Sequence, residues 1–295
     1  MSTRGDVGFH RGGTDKIMYN HSDSYPSYLG VSVARFVQSH TPEEMNEMFD
    51  RIVLVNREKP PTKTQIEECE AVFGTHITDN RPNPEWYDLL HPAQGDLEAY
   101  AKGLNYMEDS ASFLKDSLFC EWGYVINLDT NTLEIYRGFQ HEPDDNRYYI
   151  NEPSDNIGAG YYNCKLIKTL PFSEVTEDSM LSVERNVERE ENVDNFGEIL
   201  LENLHELFPR GTATIDNIVR HTPQKATINL SITMSSAIWS RGREDVIGTV
   251  NNAFRRAFGT KHTLPDTDVG LSLPAQGGYK TPVVINIDTE GDLEV

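Results

Sequence analysis

The chain has 295 residues, enough to bury a substantial core in one large domain or two. It carries 47 Asp and Glu against 26 Lys and Arg, a formal net charge of -21. That balance argues against direct binding of nucleic acid, which needs clustered basic residues, and against an anionic membrane surface. No apolar run approaches the length of a transmembrane helix, and the first ten residues, with Arg4, Asp6 and His10, hold no signal-peptide apolar region.

In chain order, the first predicted element is a hairpin that opens almost at residue one. Asp6 to His10 and Ile17 to Tyr19 read as strands around a Gly12-Gly13 turn. A dense polar run, Asn20-His21-Ser22-Asp23-Ser24, follows. Thr41-Pro42-Glu43-Glu44 has the spacing of a capping box, and Met45, Met48, Phe49 and Ile52 give one apolar face, so a helix is expected over 42–55. Thr62 or Thr64 starts a second helix with Ile66, Cys69 and Phe73 inward and Gly74 as its stop. Residues 80–107 read as loop and short helix, and Asp109 opens a short helix carrying Phe113 and Leu114.

The clearest strand pair is Phe119 to Leu128 and Leu133 to Gly138, joined by Asp129-Thr130-Asn131-Thr132. Glu121 and Arg137 are expected to pair across it. A further strand is expected over 161–167. Residues 174–202 hold ten acidic residues against Arg185 and Arg189, and read as an exposed or linking helix followed by an amphipathic helix around Phe196 to Leu207. Strands at 212–219, 226–234 and 282–288 and a helix at 243–258 complete the chain.

The expected fold class is α+β, with mixed or antiparallel sheets and helices. A main domain over 1–172, an acidic helical linker over 173–211 and a small α+β unit over 212–295 are expected. Cys69, Cys120 and Cys164 are too far apart for a CxxC pair or metal-ligand spacing, so no metal, no cofactor and no disulfide framework is expected, and a reducing cytoplasm fits.

The candidate chemistry is N-terminal. Met1 before a small Ser2 is a sequence from which the initiator is normally removed, leaving the amine of Ser2 as general base for its own hydroxyl. Asn20 is then a candidate oxyanion donor, Asp23 a candidate to orient the amine or Arg4, and His21 beside Asp23 a candidate acid/base pair. This layout resembles the choloylglycine-hydrolase and penicillin-acylase branch of the N-terminal-nucleophile hydrolases, and the hairpin over 124–138 resembles a strand pair of the glutamine-amidotransferase domains in that superfamily. The resemblance implies a sandwich fold and amide-bond chemistry.

Blocks at Thr3-Arg4-Gly5, Asp23-Ser24-Tyr25-Pro26 with Leu29-Gly30, Phe119-Cys120-Glu121-Trp122, Tyr124 to Leu128 and Tyr136-Arg137-Gly138 also resemble an uncharacterised family of bacterial and phage proteins over residues 1–172. That block starts at Thr3, which makes Thr3 or Cys120 alternative carriers of any chemistry. It leaves three readings open. One is an N-terminal-nucleophile-like amide hydrolase. Another is a non-catalytic binder that offers its acidic surface to a host protein with a basic surface, in the host cytoplasm. The last is an assembly protein that forms homo-oligomers through its C-terminal unit.

Overall fold

The computed structural model describes residues 3–74, 78, 81, 83–154 and 158–187, together with strands at 212–222, 225–234, 267–269 and 279–288. The chain divides into two compact units, Met1–Glu184 and Arg185–Val295. The class is α+β.

The first unit is organised by the opening hairpin. Strand β1 (Gly5–Arg11) and strand β2 (Thr14–Asn20) pair antiparallel from Arg11↔Thr14 to Gly5↔Asn20. Gly12 and Gly13 both take positive φ, 57° and 74°, as a two-residue turn of this hand requires. Strand β1 is an interior strand, because strand β5 (Trp122–Asn127) pairs with it in parallel on its other side. Strand β6 (Thr132–Arg137) and strand β7 (Lys165–Pro171) extend the five-stranded sheet to the order β2-β1-β5-β6-β7. Its central strands are apolar on both faces: Val7, Phe9, Tyr124, Val125, Ile126, Leu133 and Ile135 are fully buried. An ordered N-terminal strand is therefore explained by packing, since β1 supplies both a central ladder and part of the core.

After β2 the chain makes a π-helical turn (Pro26–Gly30) and enters helix α1 (Val31–Ser39), neither of which the sequence reading assigned. Helix α1 buries Val33, Ala34, Phe36 and Val37, and Phe36 meets Phe9 of the sheet edge-on at 6.1 Å between ring centres. Helix α2 (Pro42–Arg51) has the expected capping box: Thr41 Oγ1 accepts from the Glu44 amide, and the Glu44 carboxylate accepts from the Thr41 amide. It ends four residues earlier than expected. Ile52 is already extended, and Val53–Val55 forms strand β3, a run in which β-branched Val53 and Val55 favour the strand. Lys16 of β2 donates to the carbonyls of Phe49 and Ile52 at 2.6 Å each, so the hairpin satisfies the end of α2.

Helix α3 (Lys63–Phe73) is capped by Thr62 with Gln65 and stopped by Gly74 in the left-handed region, as expected. Helix α4 (Trp86–Leu90), a 3-10 turn (His91–Ala93) and helix α5 (Glu98–Ala101) follow. Strand β4 (Tyr106–Glu108) pairs in parallel with β3, and a 3-10 turn (Ala111–Lys115) starts where Asp109 accepts from the Ala111 amide.

Two boundaries differ from expectation because turn hydrogen bonds take the place of ladder bonds, and the Glu121–Arg137 contact takes another form. The amides of Phe119 and Cys120 bond the Asp116 carbonyl in a turn, so β5 begins at Trp122 rather than Phe119. The strand expected over 161–167 begins only at Lys165, because Tyr162 bonds Gln140 and Ser117 instead of a ladder partner. Arg137 donates to the main-chain carbonyl of Glu121 and lies over the rings of Trp122 and Phe139 at 4.8 and 5.0 Å.

Residues 177–187 are helical, with Thr176 accepting from the Ser179 amide. Val175, Met180 and Val183 of this acidic stretch are buried, Glu177 pairs with Arg35, and Glu184 accepts from the Ser27 amide. The first part of the segment expected as a linker thus packs on the first unit. The second unit holds an antiparallel sheet of order β10-β11-β9-β8, built from β8 (Thr212–Thr222), β9 (Lys225–Met234), β10 (Thr267–Val269) and β11 (Tyr279–Asp288). Its three long strands overlap those expected at 212–219, 226–234 and 282–288, with β8 running on to Thr222 and β11 starting at Tyr279, and β10 is an addition. The helices expected around 196–207 and over 243–258 lie outside the described residues.

Candidate functional site

Ser2 lies outside the described residues. Thr3 is buried, and its carbonyl accepts from the Ser24 amide at 3.1 Å. Arg4 lies over the Phe119 ring, 4.8 Å from its centre, while its carbonyl accepts from the Glu121 amide. Asn20 ends β2 and is nearly buried. Its Nδ2 donates to the Ser22 carbonyl at 2.5 Å and to Ser24 Oγ at 2.8 Å. Against the other end of that amide sits Gly95, with φ of 75°; a Cβ there would stand 2.4 Å from Asn20 Oδ1. His21 is exposed and bonds Tyr19 Oη through Nδ1 at 3.0 Å. Asp23 is exposed, takes φ of 55°, and offers its carbonyl to the Leu29 amide.

The structure therefore brings Thr3, Asn20 and Ser24 together through a turn, and leaves the side chains of His21 and Asp23 at the surface. The amide that sequence reading reserved for an oxyanion closes this turn. Cys120, the other candidate carrier, is fully buried; its Sγ donates to the Trp122 carbonyl, and Cys164 Sγ donates to the Cys120 carbonyl at 3.3 Å. Burial and the neighbouring Cys164 push the Cys120 thiol well above its ordinary range, so it is not a thiolate at neutral pH. Among the described residues no group of His, Cys, Asp and Glu is placed to hold a metal ion.

A pocket of about 280 Å³ opens beside this locus. One wall is the hairpin itself, through Met18 and Tyr19 of β2. Arg57, just beyond β3, and Glu108 of β4 come from the small parallel pair, and Tyr87 and Leu90 from α4. His91 and Ala93 follow in the 3-10 turn and Gln94 at its C-terminal end, with Tyr100 from α5. Asp109, Ser110 and Phe113 complete the lining.

Its aromatic groups are organised in pairs. Tyr19 and Phe113 meet edge-on at 5.5 Å, and Tyr87 and His91 at 5.3 Å. Burial raises the Tyr19 phenol while nearby Arg4 pulls it back, and the group stays neutral. Arg57 pairs with Glu108 and lies 5.8 Å from the centre of the Tyr87 ring, so the one Lys or Arg among the described lining residues is balanced by a carboxylate. Ser110 Oγ donates to Asp6 Oδ1 at 2.9 Å. Asp6 is wholly enclosed, and burial raises its carboxyl well above the usual range.

None of these lining residues is a candidate site residue in the sequence; Met18, Tyr19, Tyr87, Leu90, Asp109 and Phe113 read there only as strand, loop or short-helix positions. They come from five separate stretches, and no spacing rule joins them. Neither a family model, a curated protein nor a solved structure matches this chain.

Proposed function

We propose that this chain is a non-catalytic binding protein that holds a basic partner, a host factor in the cytoplasm, against its acidic surface. The observation that carries the reading is the surplus of 21 negative charges. A field of that sign raises the encounter rate with basic surfaces and repels nucleic acid. Part of the acidic stretch after residue 173 is spent on packing, through Glu177 and Glu184, but Glu174 and Asp178 remain exposed beside it. The commitment of Asn20 to Ser22 and Ser24 favours binding over hydrolysis, because an oxyanion donor must be free to meet developing charge.

The test is capture from host lysate at physiological salt by the full chain and by a Glu174→Lys/Asp178→Lys variant. The reading expects a basic protein retained by the parent and lost by the variant. Equal capture by both, or none by the parent, contradicts it.

A further inference from the structure

The geometry points to the pocket beside the opening hairpin as a binding site for a small organic cation, an alkylammonium group held against aromatic rings and a carboxylate. Four phenyl and phenol rings line it, Tyr19, Tyr87, Tyr100 and Phe113, and Tyr87 is 47% exposed, so an aromatic surface is open to a ligand. The face of such a ring carries negative potential and attracts a cation.

The charged groups favour a cation. Asp109 is exposed; its Oδ1 accepts from the Ala111 amide, and its other oxygen has no protein donor among the described residues. Ser110 gives its proton to Asp6, so its oxygen remains in the pocket as an acceptor. Arg57 is already paired with Glu108. Gln94, His91 and the tyrosine hydroxyls also line the pocket and can meet a ligand hydroxyl, but only a cation gains from the ring faces and the unpaired Asp109 oxygen together. The chain's net charge of -21 favours association with cations in general. A volume of about 280 Å³ lies at the lower end of ligand pockets, which suits a choline-sized molecule or one basic side chain of a partner.

The test is calorimetric titration of the full chain with choline, with its uncharged isostere 3,3-dimethylbutan-1-ol, and with a capped Ala-Lys-Ala peptide. Choline is expected to bind at least ~10-fold more tightly than the isostere. Asp109→Asn and Tyr87→Leu, both at exposed positions, are each expected to weaken choline at least ~5-fold without moving the thermal transition. No choline binding, equal affinity for the isostere, or variants that bind as the parent does would overturn the assignment. Tighter binding of choline than of the peptide identifies the ligand as a free small cation. The reverse identifies it as a side chain of a partner. The Glu174→Lys/Asp178→Lys variant is expected to bind choline as the parent does; loss of choline binding there would place the cation outside the pocket and overturn the assignment, whatever becomes of the acidic-surface reading.

Discussion

Ser110 Oγ donates to Asp6 Oδ1 at 2.9 Å, and the other carboxyl oxygen of Asp6 is buried with no hydrogen-bond partner among the described residues. This couples a lining residue of the pocket to β1, an interior strand of the main sheet. Burial is the main cause that raises the Asp6 carboxyl, the Ser110 bond opposes it, and nearby Asp109 adds to the rise. A carboxyl raised in the folded state binds its proton more tightly there than in the unfolded chain. Its contribution is therefore full below the unfolded value near ~3.9 and is lost as pH rises toward the folded value.

The Asp6→Asn variant removes that loss. The difference in unfolding free energy between variant and parent is expected to grow in the variant's favour from about pH 4 upward, by at most about 1.4 kcal/mol per pH unit. Urea denaturation across pH 4–8 checks this. A difference that stays flat with pH would show that Asp6 is not proton-linked to folding.

Gly95→Ala is expected to destabilise the first unit by about 1–3 kcal/mol. The residue has φ of 75°, and the added methyl would meet Asn20 Oδ1 at 2.4 Å. Since Asn20 holds Ser22 and Ser24, the variant should also loosen the turn after β2, which amide hydrogen exchange at Ser24 and Leu29 reports.

A buried network on β6 gives a third expectation. Glu134 is 6% exposed and accepts from Asn127 Nδ2 at 2.8 Å, Tyr136 Oη at 2.8 Å and Arg147 Nη2 at 2.5 Å. Glu134→Ala strands these three donors, and the half-buried Arg147 loses its nearest carboxylate, with Asp15 still 3.8 Å away. A loss of about 3–5 kcal/mol follows from breaking an enclosed ion pair, measured as a shift of the denaturant midpoint.

The hairpin with its Gly12-Gly13 turn, the capping box at Thr41, the helix from Thr62 to Gly74 and the β5–β6 pair were all legible, because each is written in contiguous residues with a strong local signal. Helix α1 was not. Val31-Ser32-Val33 alternates like a strand, and only packing of Phe36 on Phe9 decides the matter. Strands β3 and β4 are three residues each and pair in parallel across some fifty residues, beyond any local rule. The pocket inherits that difficulty: Tyr19, Arg57, Tyr87 and Glu108 meet through this pairing. The polar run at 20–24 was legible as a special place, but its composition reads alike for a catalytic cluster and for a turn that satisfies itself.

The most direct measurement of how this acidic chain recognises positive charge is where a cation lands. Amide chemical shifts of the labelled full chain, followed during titration with choline, are predicted to move first and furthest at Tyr19, Tyr87, Asp109 and Ser110. Shifts confined to the acidic helix at 177–187, or no shifts at all, would contradict the account.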